Sequence, residues 1–147
     1  MSIKNHISDD LKNAMRSRDK DKINALRFIM AAIKQIEVDE RITVDDTRLL
    51  VILGKLVKQH NESITQFRSA GRDDLLLQEQ FGLDTIKQYL PMPLSAQEIE
   101  DLITAAIELH HADKIADMGK VMAELKPRLQ GRCDLGQVSL LVKNKLG

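Results

Sequence analysis

Apolar residues along this chain recur every three or four positions, the spacing that puts them on one face of a helix. Ile3, Ile7, Leu11 and Met15 predict a first helix running from about Ile3 to Arg18. A charged break at Arg18-Asp19-Lys20-Asp21 restarts the pattern. Ile23, Leu26, Met30, Ile33 and Ile36 then predict a second helix fading near Glu40. Thr43 and Asp46 read as the start of a third helix, which carries Leu49, Leu53, Leu56, Ile64 and Phe67 as far as Ala70. Gly71 stands where a left-handed stop is needed. Asp73 is expected to cap a fourth helix through Leu76, Leu83, Ile86 and Leu90, ended by Pro91 and Pro93.

Beyond the prolines the helices are shorter. Ser95-Ala96-Gln97-Glu98 is a full capping box for a helix with Ile99, Leu102, Ile103, Ala106 and Ile107 inward. Asp117 is expected to cap the next, with Met118, Val121, Met122 and Leu125 inward and Pro127 near its end. Asp134 with Gln137 opens a last helix that buries Val138, Leu141 and Val142. The pattern therefore predicts an all-α fold: a bundle of long helices over residues 1–92, then a small three-helix domain over 93–147. Aromatics are only 3% of the chain against 43% apolar residues, so its core must be aliphatic, which suits packed helices.

Charge and cysteine usage narrow the function classes. Net charge is zero, so no global field draws the chain to nucleic acid or membrane. The single cysteine, Cys133, excludes an internal disulfide and fits a reducing compartment. The longest aliphatic run, Leu49 to Leu53, is too short to span a bilayer, and the first residues lack a signal-peptide run. The expectation is a cytoplasmic protein with no membrane partner. Local charge says more. From Met118 to Gly147 six basic residues (Lys120, Lys126, Arg128, Arg132, Lys143, Lys145) face two acidic ones. Arg128 and Arg132 lie near a turn, where they are expected to converge with Lys126 on a phosphate backbone. Lys20, Arg27, Lys34 and Arg41 recur every seven residues and so line one face of the second helix, either as a solvated flank or as a second basic surface. Aromatics do not interleave with these charges. Any nucleic acid would be read through shape and phosphate, and DNA is not expected.

Catalytic motifs are absent from the pattern. Gly131-Arg132-Cys133-Asp134-Leu135-Gly136 has the glycines of a phosphate loop but lacks the following lysine; a helix stop and an Asp134 cap explain it as well. His110-His111 with Asp113 has no second cluster to complete a metal site. His60 falls on the apolar side of the third helix and reads as a packing residue. Arg132 and the helix start beside Cys133 are of the kind that lowers a thiol pKa, yet no base lies near it in sequence. Asp9-Asp10, Asp45-Asp46 and Asp73-Asp74 sit in first helical turns, where they suit the dipole. No catalytic residue, cofactor or metal is expected.

Several blocks together resemble the GatB/YqeY family. They are Met118-Gly119-Lys120-Val121-Met122, Pro127, Gly131-Arg132-Cys133-Asp134 and the closing Val138, Leu141-Val142 and Leu146. Earlier blocks are Arg18-Asp19-Lys20, Leu26-Arg27, Ala31-Ala32-Ile33-Lys34, Phe67, Ala70-Gly71-Arg72, Asp74-Leu75 and Tyr89-Leu90-Pro91. The resemblance covers essentially the whole chain and implies a helical N-terminal domain with a small C-terminal one. It also implies kinship with the tail of the GatB subunit of tRNA-dependent amidotransferase, a carbon–nitrogen ligase with glutamine as amido-N-donor, in which the tail helps hold tRNA while the active sites lie elsewhere. Gly119, Lys120, Gly131, Arg132 and Asp134 fall on matching motif positions, the glycines as packing or turn residues. Cys133 stands where alanine is usual, Leu135-Gly136 where Gly-Lys is, and Gln59-His60-Asn61 and Gly82 where charged residues are typical. Three readings follow: a non-catalytic tRNA- or RNA-associating accessory protein, a component or stimulator of an amidotransferase acting with its subunits, or a protein–protein adaptor.

Overall fold

The computed structural model describes residues 2–130 and 132–147, and every described element is helical. The helices are α1 (Ile3–Ser17), α2 (Lys20–Glu40), α3 (Asp46–Ser69), α4 (Asp73–Lys87), α5 (Ala96–Leu109), α6 (Met118–Leu129) and α7 (Leu135–Leu146), with a single 3₁₀ turn at Ile115–Asp117. The chain divides into two compact units, Met1–Leu90 and Pro91–Gly147. Among the described residues no helix is long and apolar enough to cross a membrane.

In the first unit α1 packs on α2 and α3 on α4, around Ile7, Leu26, Ile29, Ile33, Leu49, Leu53 and Ile86. Helix starts follow short side-chain caps: Ser2 accepts from Asn5 N–H and Asp19 from Lys22 N–H. Two expected caps move. Asp45, not Thr43, caps α3 by accepting from Arg48 N–H at 2.8 Å, which leaves Asp46 free to accept from Ile3 N–H at 2.9 Å. At α4 the cap position is Arg72, and Asp73 and Asp74 lie inside the first turn. Met15 is exposed and Ala14 buried instead. A strict four-residue repeat drifts about 40° per step, so its fourth member has left the core, whereas Ala14 lies seven residues from Ile7 and stays aligned. Helix α4 stops at Lys87 rather than Leu90. Gln88, Tyr89 and Leu90 donate to carbonyls three residues back, tightening the end, because Pro91 disfavours helical geometry just before it. Gly71 has φ +68°, the left-handed stop that its place after α3 predicts.

The second unit closes over Ile103, Val121, Leu125, Leu129, Val138, Val142 and Leu146. The Ser95–Glu98 capping box forms in both directions. Asp134 caps α7 through Gly136 N–H alone, without the return bond from Gln137 that a box needs. Asp117 occupies the cap position of α6 but accepts from Asp113 N–H instead, so it braces the preceding turn. Leu141 is exposed and Leu146 takes the inward place, since Val138, Val142 and Leu146 keep to one side of α7.

Candidate nucleic-acid interface

Helix α2 begins at an Asp19 cap and ends at Arg41, which adopts the left-handed conformation (φ 55°). Between them, one turn of about 3.6 residues places Lys20, Arg27 and Lys34 within a narrow arc opposite the buried Leu26, Ile29 and Ile33. All three are exposed, and none forms an ion pair among the described residues. The same arc carries Asn24, Ala31 and Val38, so no carboxylate of α2 interrupts it; Asp21, Glu37 and Asp39 project well to either side. Glu37 is held below the usual carboxylate range, first by the Lys4 ammonium at 2.8 Å and then by Val44 N–H. The result is three unneutralised cations spaced about 10 Å apart along roughly 21 Å of helix.

The C-terminal cations are differently placed. Helix α6 runs to Leu129, so Lys126 and Arg128 are both helical and point about 160° apart; they do not converge as their nearness to a turn predicts. Arg128 pairs with Glu124 at 3.3 Å, and Glu124 also faces His110 at 3.6 Å. Lys120 is near enough to Asp117 to help hold that carboxyl below its usual range, behind the larger effect of Asp113 N–H. Lys145 pairs with Glu100 of α5 at 3.3 Å. Arg132 is half-buried: its Nε donates to the Met92 carbonyl at 3.2 Å while its own carbonyl accepts from Leu94 N–H at 3.1 Å. It clasps the proline segment to the α6–α7 connection. Lys126 and Lys143 remain exposed and without ion pairs among the described residues.

The motif residues resolve unevenly. Gly131 lies outside the described residues, and with it the glycine loop read there. A Cβ at Gly119 would meet nothing within 4 Å, so close packing does not require glycine at that position. Burial raises the Cys133 thiol pKa, Asp134 adds to the rise and Arg132 only opposes it, which reverses the expected lowering. Among the described residues no group of three His, Cys, Asp or Glu side chains gathers as a metal ion needs.

One constellation is only partly legible in sequence. His60 is buried and its Nδ1 meets Glu79 Oε2 at 2.5 Å across α3 and α4. Its ring lies against Gly82, where an added Cβ would come within 2.9 Å of Cε1, and 5.4 Å from the Phe28 ring. His60 and Gly82 are packing partners: the missing Cβ makes room for the imidazole.

A family model described as Yqey-like protein matches residues 4–146. Among relatives, Altered inheritance of mitochondria protein 41, mitochondrial, from Pyrenophora tritici-repentis is 36% identical over 125 residues, covering 81% of this chain and 68% of that protein. The protein of the same name from Eremothecium gossypii is 36% identical over 124 residues, covering 82% and 68%. That from Saccharomyces cerevisiae is 31% identical over 126 residues, covering 81% and 68%. A match over both units, with relatives at this identity, places the chain in the YqeY-like family.

Proposed function

We propose that this protein is an RNA-associating accessory protein, tRNA being the expected RNA, which holds its partner through phosphate contacts and leaves chemistry to others. The observation that carries the reading is the row of Lys20, Arg27 and Lys34: three exposed cations on one helical face with no carboxylate among them. Phosphates give affinity without sequence information, and the row lacks the interleaved aromatics that would stack bases. Lys126 and Lys143 provide a second, weaker basic surface. We place the protein in a reducing aqueous compartment, cytoplasmic in the sequence reading and mitochondrial in the names of the relatives.

Filter binding of tRNA over increasing salt tests this. Three phosphate contacts predict that log affinity falls against log salt with a slope of about −2 to −3. Affinity no better than millimolar at low salt, or affinity indifferent to salt, overturns the reading.

A second reading, a component or stimulator of a glutamine-dependent carbon–nitrogen ligase acting with amidotransferase subunits, rests on the kinship with the GatB tail that the motif resemblance implies. It predicts a changed transamidation rate when the protein is added to such an enzyme, and an unchanged rate removes it.

A further inference from the structure

A groove of about 870 Å³ runs between α2, α3 and α4, floored by His60 and Gly82. Among polar lining residues such as Asn24, Gln59 and Gln78, its rim carries three large exposed apolar side chains. Leu77 is 70% exposed, Phe28 48% and Phe81 41%, and the last two are two of the three phenylalanines in the chain. Leu77 and Phe81 are one helical turn apart on α4 and so form a continuous outward strip. Large apolar side chains gathered around a concavity mark a docking surface more often than chance exposure does.

Charge selects the occupant. Among the described residues no lysine or arginine lines the groove, whereas Asp21 and Glu79 do. Helix α4 as a whole is acidic, with Asp73, Asp74, Glu79 and Asp84 against a single Lys87, and Glu79 lines the groove. Asp84 is exposed beside the Leu77–Phe81 strip, where it accepts only from Gln80 at 3.0 Å. On the far wall α2 turns Asp21, Asn24, Ala25 and Phe28 to the groove, and Lys20 and Arg27 do not line it. An occupant therefore meets apolar side chains in the middle, with the carboxylates of Glu79 on the α4 side and Asp21 on the α2 side.

We propose that the α2–α3–α4 groove docks an amphipathic helix of a partner protein, with its apolar seam on Phe28, Leu77 and Phe81 and its lysines or arginines along α4. Helix-in-groove recognition needs these parts: anchors a helical turn apart and a charged flank that sets direction. The groove floor is already built. The His60–Glu79 pair and the His60–Gly82 contact hold α3 and α4 together, so the site is preformed and loses little ordering entropy on binding. This inference stands apart from the RNA reading, because none of its anchor residues belongs to the α2 cation row.

The test uses the full chain and two fluorescein-labelled helical peptides of about 14 residues. Both carry leucines at i, i+3, i+4 and i+7; one has lysines on a flank, the other glutamates in the same places. Fluorescence anisotropy is expected to show the lysine peptide binding at least about tenfold more tightly than the glutamate peptide. Leu77→Ser is expected to weaken it about tenfold and Asp84→Lys severalfold, with melting temperature unchanged since both side chains are exposed. Lys20→Glu with Arg27→Glu should not weaken peptide binding, even where it abolishes RNA binding, so the two readings fail separately. Equal affinity for both peptides, or insensitivity to Leu77→Ser, overturns the proposal. Self-association of the chain that Leu77→Ser dissolves, without peptide binding, assigns the groove to a second copy and overturns it equally.

Discussion

The outward face of α2 and the region from α6 to α7 are both rich in lysine and arginine, but they use those charges differently. In the second unit several cations are engaged within the fold. Arg128 meets Glu124, Lys145 meets Glu100, Lys120 supports Asp117, and Arg132 clasps the Met92 carbonyl. On α2 the three cations share one face and form no ion pair among the described residues. A net of +4 in a sequence window thus says less about a ligand than three colinear residues whose neighbours on the face are neutral. Counting charge measures potential. Only geometry shows how much of it is left over for a partner.

The comparison breaks most sharply on charge reversal. Lys20→Glu, Arg27→Glu and Lys34→Glu together are expected to lower tRNA affinity by roughly tenfold or more and to flatten the salt slope by about 2 to 3. The matching triple at Lys120, Lys126 and Lys143 is expected to cost less than about threefold, measured in the same filter-binding titration. A reversed ranking returns the interface to the second unit.

Arg132 sharpens the contrast from the other side. Arg132→Ala removes the clasp and is expected to destabilise the chain by about 1 kcal/mol in thermal melting, with tRNA affinity nearly unchanged. Loss of affinity without loss of stability would make Arg132 a phosphate contact after all.

Two helical glycines, Gly82 and Gly119, should respond in opposite directions. Gly82→Ala drives a Cβ into the clamped His60 ring, and the clash is expected to outweigh the gain in helix propensity, leaving a net cost of about 1 kcal/mol. Gly119→Ala enters open space in α6 and is expected to stabilise by about 0.5 kcal/mol. Denaturant melts of both variants decide the pair.

The smallest expected effect lies in acid sensitivity. Glu37 in the first unit and Asp117 in the second both have folded pKa values lowered from the ordinary range. Each therefore adds stability that is complete above the ordinary carboxylate range and is lost as pH falls through the lowered value. Glu37→Gln and Asp117→Asn should each flatten the decline of melting temperature on the acid side while leaving its pH 7–8 slope unchanged. A variant with the parent's acid profile would show that its carboxylate is not linked to folding.

Much of the fold is legible in the sequence because helices advertise themselves locally. The Ser95–Glu98 box, the Gly71 stop and the three-and-four spacing of Leu26, Ile29 and Ile33 depend only on residues within a turn or two. The departures share a cause. Spacing alone puts Met15 and Leu141 inward, yet which residues of a broad apolar arc are buried depends on the helix packed against it. Thr43 loses its cap role to Asp45 because several polar residues compete for the same orphan N–H groups. The site is less legible still. Nothing within α3 reveals that His60 meets Glu79 nineteen residues away, or that Gly82 makes its space.

By itself the sequence determined that this protein is helical, where most of its helices start and stop, and which family it resembles, since periodicity, caps and motif blocks are properties of the chain. Which cations remain free, and which apolar residues rim a groove, the tertiary structure alone decided. Those facts depend on partners brought close from distant positions: Glu124 to Arg128 is visible along one helix, but Glu100 to Lys145 and Met92 to Arg132 are not. A charge is available to a ligand only after the fold has taken what it needs.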